Sequence, residues 1–547
     1  MMITGVVHNP DSLDINPVSQ IARHAQYRPD AVALVYENRN ITYAELHETL
    51  QRWVLHLDEA GVRQGDRVAY VGVNSASFFY TMLATWWLGA TFMPFNFRLS
   101  APEISKLLMQ GTPHTVVVEG EYVGKAMTVY GIERQHIVAV DDDELSPPDK
   151  TVPVYWHSTS AFISPDETNP APKIRPMGMK DLALLLFTSG TTGLPKGAQL
   201  TFGNLWWNQI NVDSMVDVRP GDVTLATAPL FHVGALNSFS IRSLVRGNTV
   251  LIHRQFNPGR VLEDIEKYSV STSFLVPAQL EAMYKHPNFG SSDLHSMRAT
   301  ICAGAPVPPV LIHRYMDKGI NIQQAWGLTE TSPFATYLPP EMTVSKIGSC
   351  GIPMPYTEVK LMNSDTGEEV KEPGVSGEMW VRGPNVATGY WNNPEVTNTA
   401  YTAGWFHSGD IGIRDEDGFY YVVDRLKDLI ISGGENVYPA EVERVIAGAE
   451  GVLANAVVGH PDPDWGEIVV AVVQLDEGAT LTIEQLREHC EHHLARYKLP
   501  KKLVLVDAID RNSAGKVNKI AIREHVREVF AVERARDAAA TREDADA

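Results

Sequence analysis

Ten consecutive residues, Thr188 to Gly197 (TSGTTGLPKG), hold three threonines, one serine, three glycines and one lysine, directly behind the apolar run LALLLF. That mixture suits a phosphate: glycines let backbone N–H groups come close, hydroxyls donate hydrogen bonds, and lysine adds positive charge. Thr188, Ser189, Gly190, Thr191, Thr192, Gly193 and Lys196 are the candidate contacts. The segment is not a Walker A loop, because Pro195 stands where that pattern needs glycine before the lysine. A second grouping, His489, Cys490, His492 and His493, has two histidines on one helical face, as a metal site would. It lacks the HExxH order of a zincin and reads as the polar face of a helix that stops before Leu499 and Pro500.

The elements that must carry these residues alternate in type. The helical run TYAELHETLQRWVLHLDEAG, stopped at Gly61, alternates with β-rich runs such as RVAYVGV and HTVVVEG, and the pattern recurs at VTLATAPL, NTVLIH, VSTSFLV and MRATICAG. Such alternation predicts an α/β protein with largely parallel strands. Residues 161–181, rich in proline and polar side chains, read as an exposed connector, and from about Glu378 the texture becomes β-rich (GEMWVRG, GFYYVVD) before a small α/β pattern from Leu429 to about Val529. The paired Trp206 and Trp207 read as a buried helix contact, with a gate on an acyl tunnel as the rival.

At 547 residues the chain exceeds what one core usually serves, and 44% hydrophobic with 20% charged residues argues for folded structure. A formal charge of −20 disfavours nucleic acid as partner. Three cysteines without CxxC spacing give no disulfide framework and suit a reducing compartment, the cytoplasm. The N-terminus lacks a secretory pattern, and the apolar stretch Phe78 to Phe95 is broken by Thr81, Thr85, Gly89, Thr91 and Pro94. It reads as a buried helix entering a strand, without stable membrane insertion.

Six segments in order, TSGTTGLPKG, APLFHVGAL (228–236), AWGLTETS (325–332), WFHSGDIG (405–412), GFYYVVDRLKDLIISGGENVYPAEVE (418–443) and NSAGKVNK (512–519), resemble the adenylate-forming superfamily of acyl-CoA synthetases, peptide-synthetase adenylation domains and beetle luciferases. The resemblance covers nearly the whole chain. It implies an α/β fold with a large N-terminal domain of α/β subdomains and a β-rich subdomain (1–426), a small mobile C-terminal α+β domain (427–530) and a flexible tail (531–547). It also implies the reaction: a carboxylate attacks the α-phosphate of ATP to give acyl-AMP and pyrophosphate, and a thiol, that of coenzyme A, then displaces AMP.

By this resemblance Glu330 is the magnesium-linked carboxylate and Thr329 its phosphate-contacting neighbour, Trp326 and Gly327 lie beside the adenine, and Gly304, Ala305 and Pro306 wall it. Asp410 matches the carboxylate that receives the ribose hydroxyls, and Arg425 a second ribose or phosphate contact. Lys516 matches the catalytic lysine that bridges carboxylate and α-phosphate. Lys427 matches a hinge, Gly433 and Gly434 the loop lining the pantetheine path, and His232 a histidine near the reacting carboxylate, with a structural histidine as rival. The cofactors implied are ATP, Mg²⁺ and coenzyme A as co-substrate; a homodimer is compatible with these features.

Apart from Glu330, the motif positions that line the acyl pocket (His232 to Leu236, Phe274 to Gln279, Ala303 to Pro306, Trp326 to Pro333) offer no Asp, Lys or Arg, so the acid's tail is neutral and apolar. The missing acid in PLFHVGALNSF also weakens an amino-acid activator. Gly234 and Ala235 leave depth for an alkyl chain or width for a ring, and a medium- or long-chain fatty acid is the favoured expectation. Aryl or phenylpropanoid acids, and an acyl-AMP ligase loading a carrier protein, stand as alternatives.

Overall fold

The computed structural model describes residues 13–188, 195–305, 307–364, 366–432, 435–462, 465–511 and 516–545, with the backbone alone for 427, 435–436 and 533–545. The chain forms two compact units, one of Met1–Lys360, Trp380–Ser408 and Glu416–Tyr421, the other of Leu361–Met379, Gly409–Asp415 and Val422–Ala547. The β-rich stretch therefore contributes to both units, an interleaving that composition cannot reveal.

The first unit contains two large sheets. One runs in the order His157–Ser158, His136–Val140, Thr115–Glu119, Arg67–Val71, Thr91–Phe95, Leu182–Thr188, Lys196–Thr201, and is parallel except for its last strand. Strands covered on both faces read as continuous apolar runs, and Thr115–Glu119 is buried at all five positions. The helix Tyr43–Glu59 starts at a capping box in which Thr42 and Glu45 satisfy each other's backbone N–H, and Gly61, at φ 93°, takes the left-handed turn after it. The long apolar stretch resolves into the helix Ala76–Trp87 and the strand Thr91–Phe95, as its interruptions predict. Within it Phe78, Phe79 and Phe92 are fully buried, each contributing about 1.5–3 kcal/mol of transfer free energy.

The second sheet has a parallel centre in the order Ile322–Gly327, Ala299–Cys302, Thr272–Leu275, Val223–Ala226, Thr249–Ile252, Val32–Tyr36, flanked by antiparallel strands at both ends. The connector 161–181 has no helix or strand beyond its first residue, but it is anchored rather than loose. Met177 and Phe162 are buried, Trp87 Nε1 donates to Pro172 O at 2.7 Å, and Asn16 Nδ2 donates to Arg175 O at 2.9 Å. Trp206 packs partly buried against the core, while the Trp207 ring meets Tyr356 at 5.0 Å.

In the second unit the strands Val452–Asp462 and Gly466–Leu475 turn alternate residues of their centres to two cores. Val457, Val469 and Ala471 face a core with Leu486 and Cys490, and Val458, Val470 and Val472 face one with Ile522, Val526 and Phe530. His489 Nε2 meets Val445 O at 2.9 Å, and Cys490 is buried with its thiol pushed up to about 11 by that burial, so this helix uses the grouping for packing. The segment read as a flexible tail from residue 531 continues the helix Lys519–Ala545, whose first half is held by Ile522, Val526 and Phe530. Cys302, Cys350 and Cys490 are buried, and none is in a disulfide. No helix among the described residues is long and apolar enough to cross a membrane.

Candidate active site

The phosphate segment hangs from an antiparallel pair in which Thr188 lies opposite Lys196. Ser189, Gly190, Thr191, Thr192 and Gly193 lie outside the described residues. Gly197 is required by contact, since a Cβ there would sit 2.9 Å from Leu185 Cδ1. Lys196 is half-buried, and its Nζ lies 5.5 Å from the centre of the Tyr390 ring, within cation–π range. The segment carrying Tyr390 is fastened beside this strand by Gln199 N donating to Gly389 O at 3.0 Å and Trp391 N to Gly197 O at 2.8 Å.

Tyr390 in turn donates its hydroxyl to Glu330 Oε1 at 2.7 Å. Burial first, and the Glu330 charge second, push the Tyr390 phenol above the ordinary tyrosine value, so it keeps its proton and remains a donor. Glu330 is only 6% exposed, in the short turn Thr329–Thr331 that follows the strand Ile322–Gly327. That turn is fixed by its backbone: Ala387 N donates to Glu330 O at 2.7 Å, and Asn385 Nδ2 donates to Thr331 O at 2.8 Å and Phe334 O at 2.9 Å. Gly327 permits the reversal, because a Cβ there would fall 1.8 Å from Pro333 O. Trp326 is buried at the same strand end. Gly304, at φ 89°, and Ala305 are exposed just beyond the adjacent parallel strand Ala299–Cys302, so both segments occupy the carboxyl edge where ligands bind in such sheets. Pro306 lies outside the described residues.

Along the same sheet Thr224, Leu225, Ala226, Ala228, Ala235, Phe239, Ser240 and Phe274 line a tight gap that does not admit a water molecule and carries no charged side chain. The depth that Gly234 was expected to leave is filled: a Cβ there would lie 2.6 Å from Phe274 Cζ. His232 is exposed, its ring 4.3 Å from that of Phe231.

The second unit brings Asp410, Arg425 and Lys516 together. Asp410 is 3% exposed, and Arg425 Nε pairs with its Oδ1 at 2.5 Å. Lys516 precedes Val517, which bridges to Arg511, and Asn518 N donates to Asp510 O at 2.9 Å. Its pKa is lowered from the ordinary lysine value by desolvation first and the Arg425 charge second, with Asp410 opposing. The side chain keeps exposed surface, and solvent there tempers the desolvation. The backbone of Lys427 lies in the turn Leu426–Asp428, between two buried carboxylates. Asp424 accepts from Ala440 N at 2.6 Å and Arg425 N at 2.7 Å, and Asp428 from Arg523 Nη2 at 2.7 Å. Gly433 and Gly434 lie outside the described residues.

Phe274 was among the expected pocket-lining positions, whereas Tyr390 and Asn385 escaped sequence reasoning. Each acts on a residue more than 35 positions away, and only a periodicity in their own segments, uninformative here, was available to flag them.

The AMP-binding enzyme family matches residues 21–391, and the AMP-binding enzyme C-terminal domain matches residues 441–516. A feruloyl-CoA synthase of Amycolatopsis sp is 41% identical over 501 residues, covering 92% of this chain and 97% of the relative. A long-chain-fatty-acid–CoA ligase of Mycobacterium tuberculosis is 37% identical over 484 residues, covering 88% and 93%. The solved structure of o-succinylbenzoate coenzyme A synthetase from Bacillus subtilis, in complex with ATP and magnesium ion, superposes with a TM-score of 0.81 at 31% identity, covering 91% of this chain and 98% of that one. The chain belongs to the AMP-binding enzyme family. Within it the protein is an ATP-dependent, AMP-forming acid–thiol ligase that uses ATP with magnesium and takes coenzyme A as co-substrate.

Proposed function

We propose that the acid is an aryl or phenylpropanoid carboxylic acid rather than the fatty acid first expected. The observation that carries this reading is the Phe274 ring, which occupies the space beside Gly234 and closes the depth that a long alkyl chain needs. The similarity to a feruloyl-CoA synthase at 41% identity points the same way, while the fatty-acid ligase at 37% marks the rival.

In this reading the chain does little covalent chemistry itself and works by position and charge. Lys516 would offset the repulsion between the substrate carboxylate and the α-phosphate as the new C–O–P linkage forms and pyrophosphate leaves. Thr188, Thr329 and Lys196 would hold phosphate oxygens. Asp410 would receive the ribose hydroxyls with Arg425 as its partner, and Trp326 would lie against the adenine. Magnesium fits the donor set, because Glu330 is a hard oxygen ligand oriented by Tyr390, with no thiol or imidazole in its turn. Bound there, the ion would neutralise phosphate charge. Lys427 is proposed as the hinge between adenylation and thioester formation, with Gly433 and Gly434 lining the thiol's path.

The test supplies ATP, magnesium and coenzyme A with cinnamate-type, benzoate-type and saturated C8 to C16 acids, and detects acyl-CoA by mass spectrometry with Lys516→Ala as control. Thioester from the aryl acids, lost in the variant, is expected. Turnover confined to the alkyl acids would overturn the substrate reading.

A further inference from the structure

Among the described residues, one set of metal-ligating side chains converges outside the site above: His56, His136 and His157, each offering one ring nitrogen within 4.8 Å of the other two. They come from three elements. His56 is in the last turn of the helix Tyr43–Glu59, while His136 and His157 each open one of two adjacent parallel strands. The rings are tightly grouped, with centroids 4.2 Å apart for His136 and His157, 5.1 Å for His56 and His157, and 5.6 Å for His56 and His136. Phe162 stacks flat on His56 at 4.0 Å and 21°, which fixes the orientation of that imidazole.

The Nε2 atoms of His56 and His136 are 3.5 Å apart. That is long for an N–H···N hydrogen bond, whose usual range is about 2.7–3.2 Å. It is close to the edge of about 3.3 Å that two imidazole nitrogens span on a tetrahedral zinc ion at about 2.0–2.1 Å. Burial first, and neighbouring imidazoles next, push His56 and His136 down to about 4, so both are in the neutral form that binds metals. His157 is exposed and opens the cluster to solvent.

The location separates it from nucleotide chemistry. His136 and His157 stand at the amino edge of the seven-stranded sheet, whereas Thr188 ends a parallel strand of the same sheet at its carboxyl edge. A strand of seven residues, such as Leu182–Thr188, spans roughly 20 Å.

We propose that His56, His136 and His157 form a binding site for one divalent transition-metal ion of the zinc class, three imidazoles closing one face and the fourth position open to water. Three nitrogen ligands suit zinc, cobalt or nickel and not the hard magnesium that the ligase uses with ATP. The ion would tie the end of the helix to two strand starts, so its main effect is on the stability of this edge. The site is independent of the acid's identity.

The experiment uses the full chain, stripped by chelator and free of ATP, titrated calorimetrically with Zn²⁺ in the presence of excess Mg²⁺. Co²⁺ absorption reports coordination, and the thermal midpoint reports stability. One ion per chain is expected, with cobalt d–d bands of a four-coordinate nitrogen site and a higher midpoint. His157→Ala, an exposed substitution that leaves the core intact, should weaken binding at least about tenfold and abolish the cobalt spectrum, while His489→Ala should change neither. Affinity unaltered in His157→Ala, or loss in His489→Ala instead, would overturn the site, as would the absence of stoichiometric binding to the unaltered chain.

Discussion

The two clusters of nucleotide-site candidates are built by opposite means. Around Glu330 the side chain is buried and its turn is fastened by Ala387 N, Asn385 and the Tyr390 hydroxyl, so geometry is set by short hydrogen bonds in a medium that makes misplacement costly. Around Lys516 the geometry is set by charge, a lysine beside the Arg425–Asp410 pair, with surface left exposed. A hydrogen-bonded site tolerates little change of shape, whereas a charge-set site tolerates shape but not loss of charge.

The largest effect should come from removing the lysine. Lys516→Ala is expected to lower acyl-AMP formation by about 10²–10³, the scale for losing one preorganised stabilising group, while equilibrium dialysis shows ATP binding retained. A residual rate within tenfold of the unaltered chain would break the contrast at its charge-set end. At the other end, Tyr390→Phe keeps every charge and removes one oriented hydroxyl. It should raise the Mg²⁺ requirement for adenylation by about tenfold to a hundredfold, as outer-sphere partners of metal ligands do; an unchanged magnesium dependence would separate Tyr390 from the site.

Gly234→Ala pushes against the Phe274 ring and should destabilise the fold by about 1–3 kcal/mol through overpacking. The thermal midpoint and the KM for an aryl acid read this out, the KM rising more than that for ATP. The smallest effect is a shift in pH. Lys516 must be charged to act and its pKa lies below the ordinary value of about 10.4, so adenylation should decline as pH rises, with a midpoint below that of a free lysine. Arg425→Gln removes a lowering charge and should move the midpoint up, and Asp410→Asn should move it down. A profile identical in all three proteins would detach Lys516 from this pair.

Much of the framework could be read from the residues because it depends on neighbours in sequence. LALLLF is the strand Leu182–Thr188, the Thr42–Glu45 box starts a helix, and the interrupted apolar stretch is a helix entering a strand. What could not be read depends on distant pairs. Glu330 meets Tyr390 across 60 residues, Gly234 in a short helix meets Phe274 on a strand, and the histidine cluster draws on three elements. The interleaved units have the same cause, since a strand's partner is decided by topology rather than by its own pattern. Glycine was read as depth at position 234 because an absent side chain says nothing about which neighbour fills its place.

The pairing of Thr188 with Lys196 settles where the phosphate segment begins and where it ends. Once the ends of a chain segment are fixed, the entropy of closing it grows only with the logarithm of its length, and each doubling adds only about 0.6 kcal/mol. Residues inserted between the two would leave the sheet standing and its melting temperature almost unchanged. The length of this segment is therefore nearly neutral for folding, and folding is not the constraint that sets it.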